Sequence, residues 1–227
     1  MINIIDEEEV FAINPDCEVK VEYYDTVPCV IVDNFYLNPH LVRDLALSIP
    51  PTANKRIRCG NPALRINAFY DLDSMSGIYD QLLRMNWPEV FNNVHPQAIH
   101  LSFQQATFMV NVMNSVDLPA MAPHVDNPSN ANFASTIYLN TPEECAGGTS
   151  FYKFAGDTSK RSGHLDADKT QLVDHYITDS VGDWEMIGIA EMVYNRMVLY
   201  NQNALHTAYI KPDMFVDTYR INQQFFI

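Results

Sequence analysis

Hydrophobic and polar positions follow two different spacings along the chain, helical in parts of the first half and strand-like in the second. Residues 27–32 (VPCVIV) form a short apolar run rich in Val and Ile, which predicts a buried strand. In the following DNFYLNPHLVRDLALSIPP, Asn38 can cap a helix with Pro39 in its first turn. Leu41, Val42, Leu45 and Ile49 then share one apolar face, and Pro50 and Pro51 end the helix. A second helix is predicted from Ser74, with Ile78, Leu82 and Met85 facing inward. From about residue 103 the spacing changes. Strand-like runs recur at 106–112, 135–139, 149–152, 197–200, 206–210 and 219–227, separated by the turn-forming LPAMAP, NTPEECAGG and KPDMFVD. Many short strands joined by Gly, Pro and Asn turns predict a β-sandwich or jelly roll. The polar stretch 155–183 reads as an insertion, with a short helix expected around Asp183–Ala190. The expectation is therefore a mainly β protein with a helical annex, a single domain over 1–227. Residues 1–102 supply an N-terminal strand and supporting helices, and 103–227 supply the β core.

Composition narrows the function classes. The chain has 227 residues, 47% hydrophobic and 19% charged, enough to bury a sizeable core without staples. Its formal net charge of −14 repels phosphate backbones, so bulk nucleic-acid binding is not expected. The start, MINIIDEEEV, has no basic segment ahead of an apolar run, and nowhere do about 18 apolar residues run together. Cys17, Cys29, Cys59 and Cys145 stand far apart, which predicts reduced, buried thiols in a cytoplasmic protein with no membrane association.

Candidate chemistry centres on His124-Val-Asp126. In extended chain, positions i and i+2 point to one face, so an imidazole and a carboxylate converge. His206, in a strand-like run after the apolar Met197–Tyr200, is placed to add a third ligand. Two histidines and one carboxylate make the facial triad of non-haem Fe(II) oxygenases, with positions left open for co-substrate and oxygen. A second HxD, His164-Leu-Asp166, lies in the polar GDTSKRSGHLDADK without a strand pattern to stiffen it, and His124 is preferred for that reason. His40, His95, His100 and His175 have no partner spacing and read as structural or exposed.

The last strand carries a second feature. Arg220, Asn222, Gln224 and Phe226 share one face and Ile221, Gln223, Phe225 and Ile227 the other. A guanidinium at 220 can hold a carboxylate with two hydrogen bonds, and Asn222 can add another. A dicarboxylate anchored there could chelate iron with its other end. A surface salt bridge is the simpler use of such an arginine.

HVD, then STIYLNTPEECAGGTSFY, NRMVLYNQNALHTAY and YRINQQFFI, in this order, resemble the Fe(II)/2-oxoglutarate-dependent oxygenases. The likeness is nearest to the prolyl-4-hydroxylase-like group and its small bacterial and phage-type members. VDNFYLNPHLVRDLAL resembles that group's N-terminal strand and helix, and the resemblance spans roughly residues 27–227. It implies a double-stranded β-helix, cupin-like, packed against N-terminal helices, with iron near its open end. His124, Asp126 and His206 match the metal ligands, Arg220 matches the anchor of the distal carboxylate of 2-oxoglutarate, and Tyr138 matches a hydrogen-bonding strand position. The implied activity is hydroxylation of an amino-acid, peptide or small-metabolite substrate with Fe(II), 2-oxoglutarate and O2, releasing succinate and CO2. Two spacings depart from the pattern. The segment 155–183 lengthens the gap from Asp126 to His206, and a long gap from His206 to Arg220 leaves Lys211, before Pro212, as a lower-ranked anchor. The alternatives are a non-catalytic jelly-roll binding module and a cupin-type isomerase or hydrolase. The triad with Arg220 argues against the first, and the late-strand Arg against the second. Segments 52–70 and 155–183 are expected to rim the site. Lys55, Arg56, Arg58 and Arg65 are either a solvated basic loop or an attractor for an anionic substrate.

Overall fold

The computed structural model describes residues 6–48, 64–67, 107–112, 121–126, 133–156 and 175–226. The helix expected from Ser74 lies outside these residues, as do Cys59, His95, His100, the His164–Asp166 pair, the basic residues Lys55, Arg56 and Arg58, and the middle of the 155–183 segment.

Two antiparallel sheets make up most of the described chain. The first has seven strands in the order β1 (Glu18–Tyr24), β2 (Val27–Asp33), β8 (Met197–Asn201), β5 (Phe133–Tyr138), β10 (Tyr219–Phe226), β4 (Thr107–Val112) and β3 (Leu64–Asn67). The second has three, β7 (Trp184–Glu191), β6 (Gly148–Phe154) and β9 (His206–Tyr209). Residues 121–126 join the second sheet through an antiparallel bridge between His124 and His206. From β4 onward the pairing is nested. β4 meets β10, the 121–126 segment meets β9, β5 meets β8 and β6 meets β7. The predicted strands at 27–32, 106–112, 135–139, 149–152, 197–200, 206–210 and 219–227 are all present, with ends shifted by no more than a few residues.

The sheets face each other across one buried cluster. Ile31, Ala134, Tyr138, Val198 and Tyr200 reach it from the first sheet, Phe151 and Ala190 from the second. Each side chain of this size contributes about 1.5–3 kcal/mol when removed from water. β5 is central and buried along its whole length. Helix α1 (Glu7–Val10) is a single turn, and α2 (Pro39–Ser48) buries Val42, Leu45 and Ala46. Tyr36, just ahead of α2, donates its hydroxyl to Gln223 Oε1 at 2.8 Å, on the face of β10 away from Arg220.

Three expectations are corrected. The segment around Asp183–Ala190 is the strand β7, not a helix: Trp184 and Ala190 are buried while Glu185 and Glu191 are exposed. Ile187, Gly188 and Ile189 are poor helix formers, and the backbone groups of β6 need partners along that edge. Gly188 is also required there, since a Cβ would lie 2.4 Å from the ring of Tyr24, which stacks on Phe151 at 5.2 Å between centroids. The second correction is an addition, the strand β1 over the alternating EVKVEYY, which pairs with β2 from Glu18↔Asp33 to Tyr24↔Val27. Third, among the described cysteines only Cys29 is buried, while Cys17 and Cys145 are partly exposed; all three are free thiols. Burial raises each thiol pKa.

Candidate metal centre

His124, Asp126 and His206 come together. The main chains of His124 and His206 exchange both hydrogen bonds, each 2.9 Å, so the two histidines stand directly opposite one another. Asp126 is fixed by its own N–H, which donates to Gln202 O at 3.0 Å. The imidazole centroids are 4.6 Å apart. Asp126 Oδ2 lies 3.3 Å from His206 Nε2, and Asp126 Oδ1 3.9 Å from His124 Nε2. Two ligand atoms at about 2.1 Å from one ion can be at most about 4.2 Å apart, so both separations suit a shared ion. The donor set, two imidazoles and one carboxylate, fits a divalent transition metal of intermediate softness.

The three candidate ligands differ in exposure. His206 shows 5% of its side chain, Asp126 14% and His124 35%, so the centre opens on the His124 side. His206 Nδ1 sits 3.0 Å from Ala204 O. Nδ1–H donating to that carbonyl leaves the Nε2 lone pair for a metal. Burial pushes the His206 pKa down, but the Asp126 carboxylate and the Ala204 carbonyl together outweigh it and leave it raised. Tyr200, which sequence reasoning assigned only to a strand, packs its ring 4.7 Å from His206 and 5.3 Å from Phe151. Burial, and then the Asp126 carboxylate, hold its phenol well above the usual range and therefore neutral.

Arg220 and Asn222 do share a face, pointing into the space between the sheets. Arg220 is 3% exposed. Its Nη1 donates to Asn222 Oδ1 and its Nη2 approaches Gly148 O at 3.5 Å. The guanidinium carbon lies 5.6 Å from the centroid of the Tyr138 ring, and the Tyr138 hydroxyl is 2.7 Å from Thr149 Oγ1. Among the described residues no carboxylate pairs with Arg220, and Arg220 Nε and Asn222 Nδ2 are buried without a hydrogen-bond partner. Burial pulls the guanidinium pKa down from its ordinary value. Asn140 holds this stretch in place: its Nδ2 donates to Tyr219 O at 2.6 Å and its Oδ1 accepts from Ile221 N at 2.7 Å, the peptide groups flanking Arg220. Nothing in IYLN marked Asn140 for that task, because its partners lie 79 and 81 residues away. Lys211, the competing anchor, is partly exposed, 3.6 Å from Asp179 and 5.5 Å from the Tyr209 ring centroid. His40 and His175 are exposed. Arg65 lies on β3 opposite Met109.

Residues 14–219 match the family of unknown function DUF6445, which covers most of the chain. No curated protein matches it.

Proposed function

The chain belongs to the family of unknown function DUF6445, and for this member we propose a Fe(II)- and 2-oxoglutarate-dependent dioxygenase that hydroxylates an amino-acid, peptide or small-metabolite substrate. The observation that carries the reading is a guanidinium buried without a carboxylate partner among the described residues, in the same inter-sheet space as a His-Asp-His cluster. A buried cation with no counter-charge costs several kcal/mol, and an anionic co-substrate offsets that cost. Strand register gives the spacing. Arg220 approaches Gly148 O, and Phe151, three residues along β6, stands opposite His206. Those three steps cover about 10 Å, which suits a five-carbon dicarboxylate ligated at one end and ion-paired at the other.

The nested pairing of β4 through β10 also supports a double-stranded β-helix. In a jelly roll the first strand pairs with the eighth, the second with the seventh, and so inward, and the four pairs here follow that order.

In this reading His124, Asp126 and His206 would hold the iron, which would supply the site for co-substrate and oxygen. Bound iron and 2-oxoglutarate supply the oxidative chemistry, coupling O2 activation and loss of CO2 to hydroxylation of a C–H bond. The chain itself positions and excludes water. Arg220 grips the distal carboxylate through its fork, with Asn222 and the Tyr138 ring keeping the fork in one plane. Tyr200 and Phe151 form an apolar wall behind His206. Substrate enters from the His124 side, where the cluster is most exposed.

The test is anaerobic titration with Fe(II) and then 2-oxoglutarate, followed by the visible charge-transfer band and, after O2 is admitted, by succinate. Wild type develops the band and His206→Ala does not. A band that survives His206→Ala, or none in wild type, overturns the proposal.

A further inference from the structure

The 121–126 segment, which carries two of the three metal-ligating groups, is too short to hold itself in place. Besides its contacts at His124 and Asp126, its backbone is tied at Met121. Met121 N donates to His175 O at 3.2 Å, and Ile177 N donates to Met121 O at 3.0 Å. Residues 175–177 come from the end of the polar segment 155–183, so that segment reaches the outer edge of the ligand-bearing chain and bridges to it in parallel at Met121↔Tyr176.

Tyr176 goes further. Its side chain is 8% exposed, and its hydroxyl donates to Ala208 O at 2.7 Å and lies 3.0 Å from Thr207 Oγ1. Thr207 and Ala208 directly follow His206 on β9. One residue thus holds both ligand-bearing stretches, with its backbone beside Met121 and its hydroxyl on the β9 residues that follow His206. Burial raises the Tyr176 phenol, while the Thr207 hydroxyl and then the Arg220 guanidinium draw it back.

We infer that Tyr176 is a positioning residue for the metal centre: its hydroxyl keeps His206 in register with His124 and Asp126, and residues 175–177 form part of the site's frame. The inference rests on the metal reading above. A chelating set has to be held to about 0.5 Å, and groups that orient ligands from behind typically change metal affinity 10–100-fold when removed. Tyr176 acts one residue away from its ligand, so the lower end, about tenfold, is expected.

Co(II) is the probe, because its binding and its d–d spectrum are read without turnover. Four proteins are titrated: wild type, Tyr176→Phe, Thr207→Val and Tyr152→Phe. Tyr152 is the control, since its hydroxyl is buried in the same second sheet without a hydrogen-bond partner among the described residues. The expected result is about tenfold weaker Co(II) binding with an altered d–d band in Tyr176→Phe. Thr207→Val shows a smaller loss, because the bond to Ala208 O remains, and Tyr152→Phe binds as wild type does. Metal-free melting temperatures of Tyr176→Phe and Tyr152→Phe should agree within a few degrees. Unchanged affinity and spectrum in Tyr176→Phe overturn the inference, and so does an equal loss in Tyr152→Phe, which would make it a general effect of packing. Failure of wild type to bind Co(II) instead refutes the metal reading, which separates the two.

Discussion

At the scale of single residues, the sequence points to the candidate ligands but not to their supports. His124, Asp126 and His206 were legible because a two-residue spacing in extended chain has one geometric meaning, and Arg220 with Asn222 was legible for the same reason. Asn140, Tyr200 and the Ala204 carbonyl were not, because what they do depends on partners that sequence spacing does not reveal. The distinction bears on Arg220. Among the described residues no carboxylate pairs with its guanidinium, so Arg220→Ala should weaken 2-oxoglutarate binding by about two to three and a half orders of magnitude, corresponding to roughly 3–5 kcal/mol for an unpaired buried charge. Arg220→Lys should recover only part of this, since an ammonium cannot reproduce the fork. Lys211→Ala should leave affinity unchanged, because Lys211 is engaged at the surface with Asp179. Titration of the visible band in the three variants checks this, and Fe(II) affinity should stay near wild type in all of them.

At the scale of elements, strands with a continuous apolar run are the plainest in the sequence, while β1 and β7 are not legible in it. VPCVIV and STIYL announce buried strands, whereas EVKVEYY at β1 alternates charges with apolar residues on a sheet edge, and β7 mixes Trp, Met, Gly and Glu in a way that fits either spacing. Pairing with β6 decided between them, and pairing is a property of two segments. The turn into β6 shows how demanding such pairing is. Gly147 has φ +69°, and a Cβ on it would lie 2.0 Å from Tyr209 O, the carbonyl of the residue opposite Gly148 on β9. Gly147→Ala must therefore either move β9 or distort the turn. A backbone forced into this region costs about 1–3 kcal/mol before the overlap is counted. In a chain of this length each kcal/mol lowers the melting temperature by about 2–4 °C. A loss of roughly 5 °C or more, together with weaker Co(II) binding because β9 carries His206, is the expected outcome, measured by thermal unfolding with and without metal. An unchanged melting temperature would mean the turn relaxes without disturbing β9.

At the scale of the whole molecule, the nested strand order has a consequence in time. β4 and β10 are neighbours in the sheet yet stand at opposite ends of the second half of the chain, and β2 waits for β8 across more than half the sequence. Chains dominated by such distant partners fold slowly, in milliseconds to seconds, because large loops must close before any contact rewards them. The bridge between His124 and His206 is the second of the nested closures, so assembly outward from the β6–β7 pair would bring the two histidines together late. On the function proposed above, a metal ion would then arrive too late to guide folding and would act as a latch on the finished structure. At a hundredfold excess over its dissociation constant a bound metal adds about 2.7 kcal/mol. On that order of assembly the contacts it bridges form after the transition state, and that energy should appear almost wholly as a slower departure from the native state. Stopped-flow unfolding in denaturant should slow by about a hundredfold with saturating Co(II), while refolding keeps its metal-free rate. A refolding rate that rose with metal would place the His124–His206 meeting early, among the contacts that nucleate the fold.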